Sequence, residues 1–217
     1  EAAEDLPMAL HDMIKDTIAA HKRIIFNGNG YSDEWVVEAE RRGLPNIKCM
    51  VDAVPALVKP EAVEIFEKHG VYTKAEMESR AEVMYETYSK TINIEALTMI
   101  DMAKKQIVPA TIKYQTSLAE SVNAIKAASS AVDTSVQEAL MADISTNLKD
   151  MYAALAHLEE VAGKAEAMEE GAEQGHYYHD VVFTAMDELR KPADKLEMLV
   201  AKSAWPFPSY GDLIFEV

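Results

Sequence analysis

VQEALMADISTNLKDMYAALAHLEEVAGKA, residues 136–165, carries the clearest period in this chain. Val136, Leu140, Ile144, Leu148, Met151, Leu155, Leu158, Ala162 and Ala165 recur at steps of three or four. Such steps return to one side of a 3.6-residue turn, so the stretch predicts one long helix with a single apolar seam. The run Ala127-Ala128-Ser129-Ser130-Ala131 interrupts the pattern upstream, Asp133 or Ser135 can cap the new start, and the seam ends near Gly171.

The flanking segments repeat the design. Thr73-Lys74-Ala75-Glu76 is a capping box: the Thr hydroxyl can accept from the third helical amide while the Glu reaches back to the cap's own N–H. From there Ala81, Met84, Tyr88, Ile92, Ala96, Met99, Ala103 and Ile107 trace one seam to Val108, roughly 54 Å of helix at 1.5 Å per residue. Pro109 removes a ladder donor and predicts a kink without an end, because Leu118, Val122 and Ile125 keep the period. Downstream, Tyr178, Val182, Ala185, Leu189, Leu196 and Val200 trace a further helix, with Pro192 predicting a second kink. Three long seams joined by short loops predict an all-α fold, an antiparallel bundle of long kinked helices.

Shorter elements precede the bundle. Leu6, Leu10, Ile14, Ile18 and Ile25 follow Pro7, whose fixed φ suits a first helical position, and predict a helix to about Arg23. Asn27-Gly28-Asn29-Gly30 predicts a turn, after which Ser32 caps a short helix ending before Gly43. Pro45, Pro55 and the apolar run 47–54 predict a short extended piece or loop over residues 44–59. At the other end, Trp205-Pro206-Phe207-Pro208-Ser209-Tyr210-Gly211-Asp212-Leu213 fits no helical or strand period. Residues before proline are pushed to extended φ/ψ, so this segment predicts an extended strap, ordered only where its rings are buried, with helix one or the loop around Tyr31 as its dock.

Composition agrees with the class and excludes several functions. Hydrophobic residues make up 49% and aromatics only 7%, with 8 Gly and 8 Pro, which favours helix packing over a sheet-rich sandwich. The formal charge of −16 repels phosphate, excluding nucleic acid and disfavouring anionic membrane surfaces. No apolar run approaches the roughly 20 residues of a spanning helix, so a soluble chain is expected. The lone Cys49 excludes an internal disulfide and a thiolate zinc cluster, in keeping with a reducing, cytoplasmic setting.

Several residue groups invite a chemical reading. His176 and His179 share a helix face, with Glu173 three residues before His176, but a di-iron bundle needs a second Glu-x-x-His and none exists. The expected reading of 176–180 is a solvated helix start with a half-buried tyrosine pair. Asn27 to Gly30 lacks both the Gly-x-Gly-x-x-Gly spacing and a Lys-Ser/Thr ending of a phosphate loop. Ser, His and Asp are present without a Gly-x-Ser-x-Gly elbow. Cys49 beside Lys48 reads as a buried, inert thiol, and Glu159, Glu160, Glu166, Glu169 and Glu170 as a solvated face. The 12 methionines fall largely on the Leu and Ile seams and read as core filling rather than as a partner groove.

Taken in order, the aromatic tail, Lys90-Thr91-Ile92-Asn93-Ile94-Glu95-Ala96-Leu97-Thr98-Met99-Ile100 and the interrupting Ile107-Val108-Pro109-Ala110 resemble the C-terminal region of a type III glutamine synthetase. Asp5-Leu6-Pro7, Ile25-Phe26-Asn27-Gly28-Asn29-Gly30-Tyr31-Ser32 and Arg42-Gly43-Leu44-Pro45-Asn46 resemble the last elements of that family's catalytic domain, and Glu64 to Thr73 is similar to its approach to the long C-terminal helices, whereas Ser117 to Gly175 is generic helix. The resemblance implies a parent enzyme that amidates glutamate with ammonia through a γ-glutamyl phosphate, using ATP and Mg or Mn, and assembles as a ring oligomer. It also implies that the metal-binding glutamates and the nucleotide and arginine motifs lie upstream. Catalytic, cofactor-binding and metal residues are therefore expected to be absent from this segment, which the opening Glu1 also marks as part of a longer protein. The expected organisation is 1–72 as the end of the catalytic domain, 73–203 as the bundle and 204–217 as a docking tail, with the catalytic domain and neighbouring subunits as partners. A free-standing helical interaction module without catalysis is the alternative.

Overall fold

The amide of Glu76 donates to the Thr73 hydroxyl at 3.3 Å, and the Thr73 amide donates to the Glu76 carboxylate at 2.8 Å, so the capping box starts α5 (Lys74–Met102) as the sequence predicts. In the computed structural model, which describes residues 5–215, α5 passes through a π turn (Ala103–Ile107) into α6 (Val108–Ala128). Pro109 has no N–H for the carbonyl four residues back and its ring crowds that carbonyl. The widened turn directly before it is where the helix absorbs the misfit. After a short loop come α7 (Ser135–Glu166), then α8 (Ala172–Tyr177), a second π turn (Tyr178–Val182) and α9 (Phe183–Leu199). Pro192 is buried inside α9, through which the helix continues; the π turn of this arm lies upstream at Tyr178–Val182 rather than at the proline.

Cross-links along the first two arms fix their direction. Lys126 pairs with Glu138, the Gln115 side-chain amide donates to the Met141 carbonyl at 3.3 Å, and Lys104 pairs with Glu159. As one position falls the other rises, so the arms are antiparallel. Their core takes Ile144, Met151, Leu155, Leu158 and Ala165 from α7 and Tyr178, Val182, Ala185, Leu189 and Leu196 from the following arm, closed by Ile92, Ala96, Ala103 and Ile107. The α7 seam begins later than its pattern, since Val136 is exposed and Leu148 only half-buried. On α5 the first turns bury Met77, Ala81, Tyr85 and Ser89, while Met84 is exposed, a shift of one position from the predicted seam.

That shift has a cause in residues 44–59, where the expected loop is corrected to α3 (Met50–Leu57), followed by α4 (Pro60–Lys68). Val51 and Val54 bury against Ala81 and Tyr85, which draws that face of α5 inward. Pro55 cannot donate to the Val51 carbonyl, and the Tyr85 hydroxyl approaches the same oxygen at 3.5 Å. Burial of two valines outweighs the proline penalty, and a local reading of proline could not see it. Gly175 of α8 lies in the same junction: a Cβ there would sit 3.1 Å from Tyr85 and 3.2 Å from Val51, a tight approach that favours glycine.

The chain divides between Lys48 and Cys49 into two units. In the first, Asp5 accepts from the Met8 amide and opens α1 (Leu6–His21), a short 3₁₀ turn follows, and α2 (Asp33–Arg41) comes after the Asn-Gly turn. Phe26 stacks on Trp35 with centroids 4.2 Å apart, and the Arg42 guanidinium lies 5.8 Å from both rings. The Phe26 ring covers Gly28 so closely that a Cβ would fall 2.4 Å from it. Arg41 and Arg42 hold the Glu38 carboxyl down at about 2.

The tail leaves α9 after Leu199, is non-helical from Trp205 to Ser209 and ends in a short α10 (Tyr210–Phe215). No strand occurs among the described residues.

Candidate functional site

The predicted chemical groups resolve into structural roles. Tyr178 is fully buried and His179 half-buried, with Tyr88 and His179 rings 6.5 Å apart, so residues 176–180 form an inter-helix contact rather than a solvated start. His176 Nδ1 lies 3.7 Å from Asp52 and His179 Nδ1 2.7 Å from Asp180, two separate pairs. Among the described residues no three His, Cys, Asp or Glu side chains are placed to hold a metal ion together. The half-buried Cys49 thiol donates to Asp52 at 3.0 Å, and desolvation followed by that carboxylate pushes its pKa up, the opposite of nucleophile activation. Asn27 to Gly30 is held as a turn by the Tyr31 amide donating to the Asn29 side chain at 3.0 Å. Glu160 bridges to Lys164, Glu159 to Lys104, and Glu166, Glu169 and Glu170 face solvent. Met77 and Met151 are core, yet Met8, Met13 and Met198 are exposed, so core filling accounts for only part of the methionines.

What the chain does build is a docked strap. Trp205 and Phe207 meet edge to face at 6.2 Å and 74° and pack on the bundle core. The bundle's own end thus serves as a dock for the strap, one that the sequence pattern, which pointed to helix one or the loop around Tyr31, does not name. The strap is pinned from outside. Lys202 donates to Asp212 at 2.6 Å, and the Ser209 amide and hydroxyl donate to the same carboxylate at 2.8 and 2.7 Å. Lys202 and then Ser209 hold the Asp212 carboxyl down at about 2. Pro206 and Pro208 fix the backbone between the rings, so few conformations are lost on docking. Beneath the strap, Met99, Met102 and the π turn of one arm face Leu189 and Ala193 of α9 across an apolar cavity of about 460 Å³. The sequence signals the strap through its prolines and rings. It does not signal the cavity, because nothing in the Ala103–Ile107 pattern marks a π turn.

Fold and dock together define a helical bundle with a pinned tail, and the chain belongs to the glutamine synthetase C-terminal domain family, whose profile matches residues 9–126. Three relatives place it more narrowly. The chain is 37% identical over 216 residues to a glutamine synthetase of Butyrivibrio fibrisolvens, covering 100% of this chain and 31% of that protein. It is 29% identical over 211 residues to the type-3 glutamine synthetase of Dictyostelium discoideum and to a glutamine synthetase of Bacteroides fragilis, in each case 95% of this chain and 29% of the relative. It thus spans about three tenths of the length of the relatives it matches. No helix among the described residues is long and apolar enough to cross a membrane.

Proposed function

We propose that this chain is the C-terminal helical segment of an ATP-dependent glutamate–ammonia ligase, and that it serves packing and oligomer assembly while the chemistry is carried by the rest of the enzyme. The observation that carries the reading is the match of the whole chain to three tenths of a glutamine synthetase. The geometry supports the division of labour. Cys49 and His176 share Asp52, with the thiol pKa pushed up rather than down, His179 pairs with Asp180, and the polar groups that meet at Asp212 tie a strap down rather than converge on a substrate. ATP and Mg or Mn, implied by the relatives' reaction, belong in this reading to residues outside the segment. Its partners are the catalytic domain of its own enzyme and neighbouring subunits, in the cytoplasm. Residues 1–72 end the catalytic domain, 73–203 form the bundle and 204–217 dock.

The α1 face supports the packing role, because Leu6, Leu10, Ile14 and Ile18 are all about half-exposed or more, apolar surface of the kind that marks contact sites. Calorimetry of the isolated chain with ATP, magnesium and glutamate is expected to give no saturable heat, and an ammonia-dependent assay no glutamine. Saturable binding in the micromolar range would overturn the assignment of chemistry elsewhere. In the whole enzyme, removing residues 73–217 is expected to lower the assembly mass seen by light scattering; an unchanged mass would overturn the assembly role.

A further inference from the structure

The cavity under the strap has an uncommon construction for a space between packed helices. Its floor is formed by Met151, Leu189 and Ala103, all essentially inaccessible to solvent, and its mouth opens to water. Two small side chains, Ala103 at the π turn and Ala193 on α9, line the gap, and π turns recur at functional sites. One wall is aromatic: Trp205, Phe207 and Tyr210, held in place by the Asp212 ties rather than by filling the cavity themselves. The mouth carries three charged side chains, Arg190, Asp194 and Glu197. Arg190 Nε already donates to Asp194 at 3.3 Å, so two carboxylates face one engaged guanidinium and the opening is net negative.

A space of this size, mostly apolar with a few polar groups on one side, matches small-molecule sites in general. Aromatic faces beside carboxylates attract an ammonium group through the ring quadrupole and the negative charge together. We propose that this cavity is a binding site for a hydrophobic organic cation, an alkyl- or arylammonium whose apolar body lies on Met151 and Leu189 while its charged head sits among Trp205, Tyr210 and Glu197. The site is independent of the reading of the parent enzyme. The formal charge of −16 favours the approach of a cation at low salt and opposes that of an anion.

The chain has two tryptophans, so Trp35→Phe leaves Trp205 as the sole reporter in the cavity wall. Decyltrimethylammonium, decanoate and decanol, each below its micelle concentration, are titrated against the emission of this variant. The cation is expected to saturate the signal at a concentration at least about tenfold below decanoate and decanol. Glu197→Gln combined with Asp194→Asn, both exposed and outside the core, is expected to weaken the cation about tenfold and leave decanol unchanged. Ala193→Leu, which fills the gap, is expected to abolish the response to all three. Decanoate binding as tightly as the cation, decanol binding equally well, no effect of the charge variants, or no saturable response to any ligand would each overturn the proposal.

Discussion

Helices α1 and α7 carry the same kind of message and meet different fates. Leu6, Leu10, Ile14 and Ile18 step by four along α1, and Ile144, Leu148, Met151, Leu155 and Leu158 step by four and three in turn along α7. On α7, Ile144, Met151, Leu155 and Leu158 are at most 1% exposed, whereas the four α1 residues are 47–70% exposed and no residue of that helix is buried. Periodicity therefore records a capacity to bury one face, and whether the face is buried depends on what lies opposite. For α7 the opposite surface is supplied within the chain by short connections that bring two further arms alongside.

The sharpest way to break the contrast is to truncate one leucine on each helix. Leu158→Ala is expected to cost about 2 to 5 kcal/mol in urea unfolding, since a fully buried leucine leaves a cavity. Leu10→Ala is expected to stay within about 0.5 kcal/mol. Equal shifts would mean that α1 is as deeply packed in solution as α7. Leu148→Ala, half-buried, is expected to fall between them, which tests whether cost follows burial or sequence pattern.

The strap is an intermediate case, apolar and partly covered. Trp205→Ala is expected to cost about 1 to 3 kcal/mol, or several degrees in the thermal midpoint, because its ring rests on the core. An unchanged midpoint would place the strap with α1, as surface that the bundle does not depend on. The caps repeat the comparison at a smaller scale. Thr73→Ala is expected to cost about 1 kcal/mol, because the long arm it starts is part of the cooperative core. Asp5→Ala should leave the main transition in place and show only as faster amide exchange at the start of α1.

The smallest effect expected is a pH dependence of the strap. Asp212 sits near 2 rather than its ordinary 3.8, so its contribution is complete above 3.8 and is lost as the pH falls toward 2. Emission of Trp205 in the Trp35→Phe background should change over that window, weakly and less at high salt because the carboxylate is exposed. Asp212→Asn should remove the dependence; a transition that persists in this variant would assign it to another carboxylate.

Taken alone, the sequence determined the class and most of the element order. The capping box at Thr73, the seam from Ile144 to Ala165 and the positions from Tyr178 to Val200 are local patterns whose physics is complete within a few turns of helix. Prolines next to aromatics announced a strap for the same reason, since proline restricts the backbone regardless of what surrounds it. Tertiary structure decided the rest. Pro55 lies in a helix because Val51 and Val54 are buried on α5, and the α5 seam turns by one position to receive them. The π turn of the last arm lies at Tyr178–Val182 rather than at Pro192, a placement that the local chemistry of proline does not foretell. The cavity under Trp205 is lined by Ala103 and Ala193, which are distant in the chain and share one space only in the packed bundle. Each of these depends on free energy shared between segments far apart in sequence, and local propensity, worth a fraction of a kcal/mol per residue, gives way to burial worth several times more.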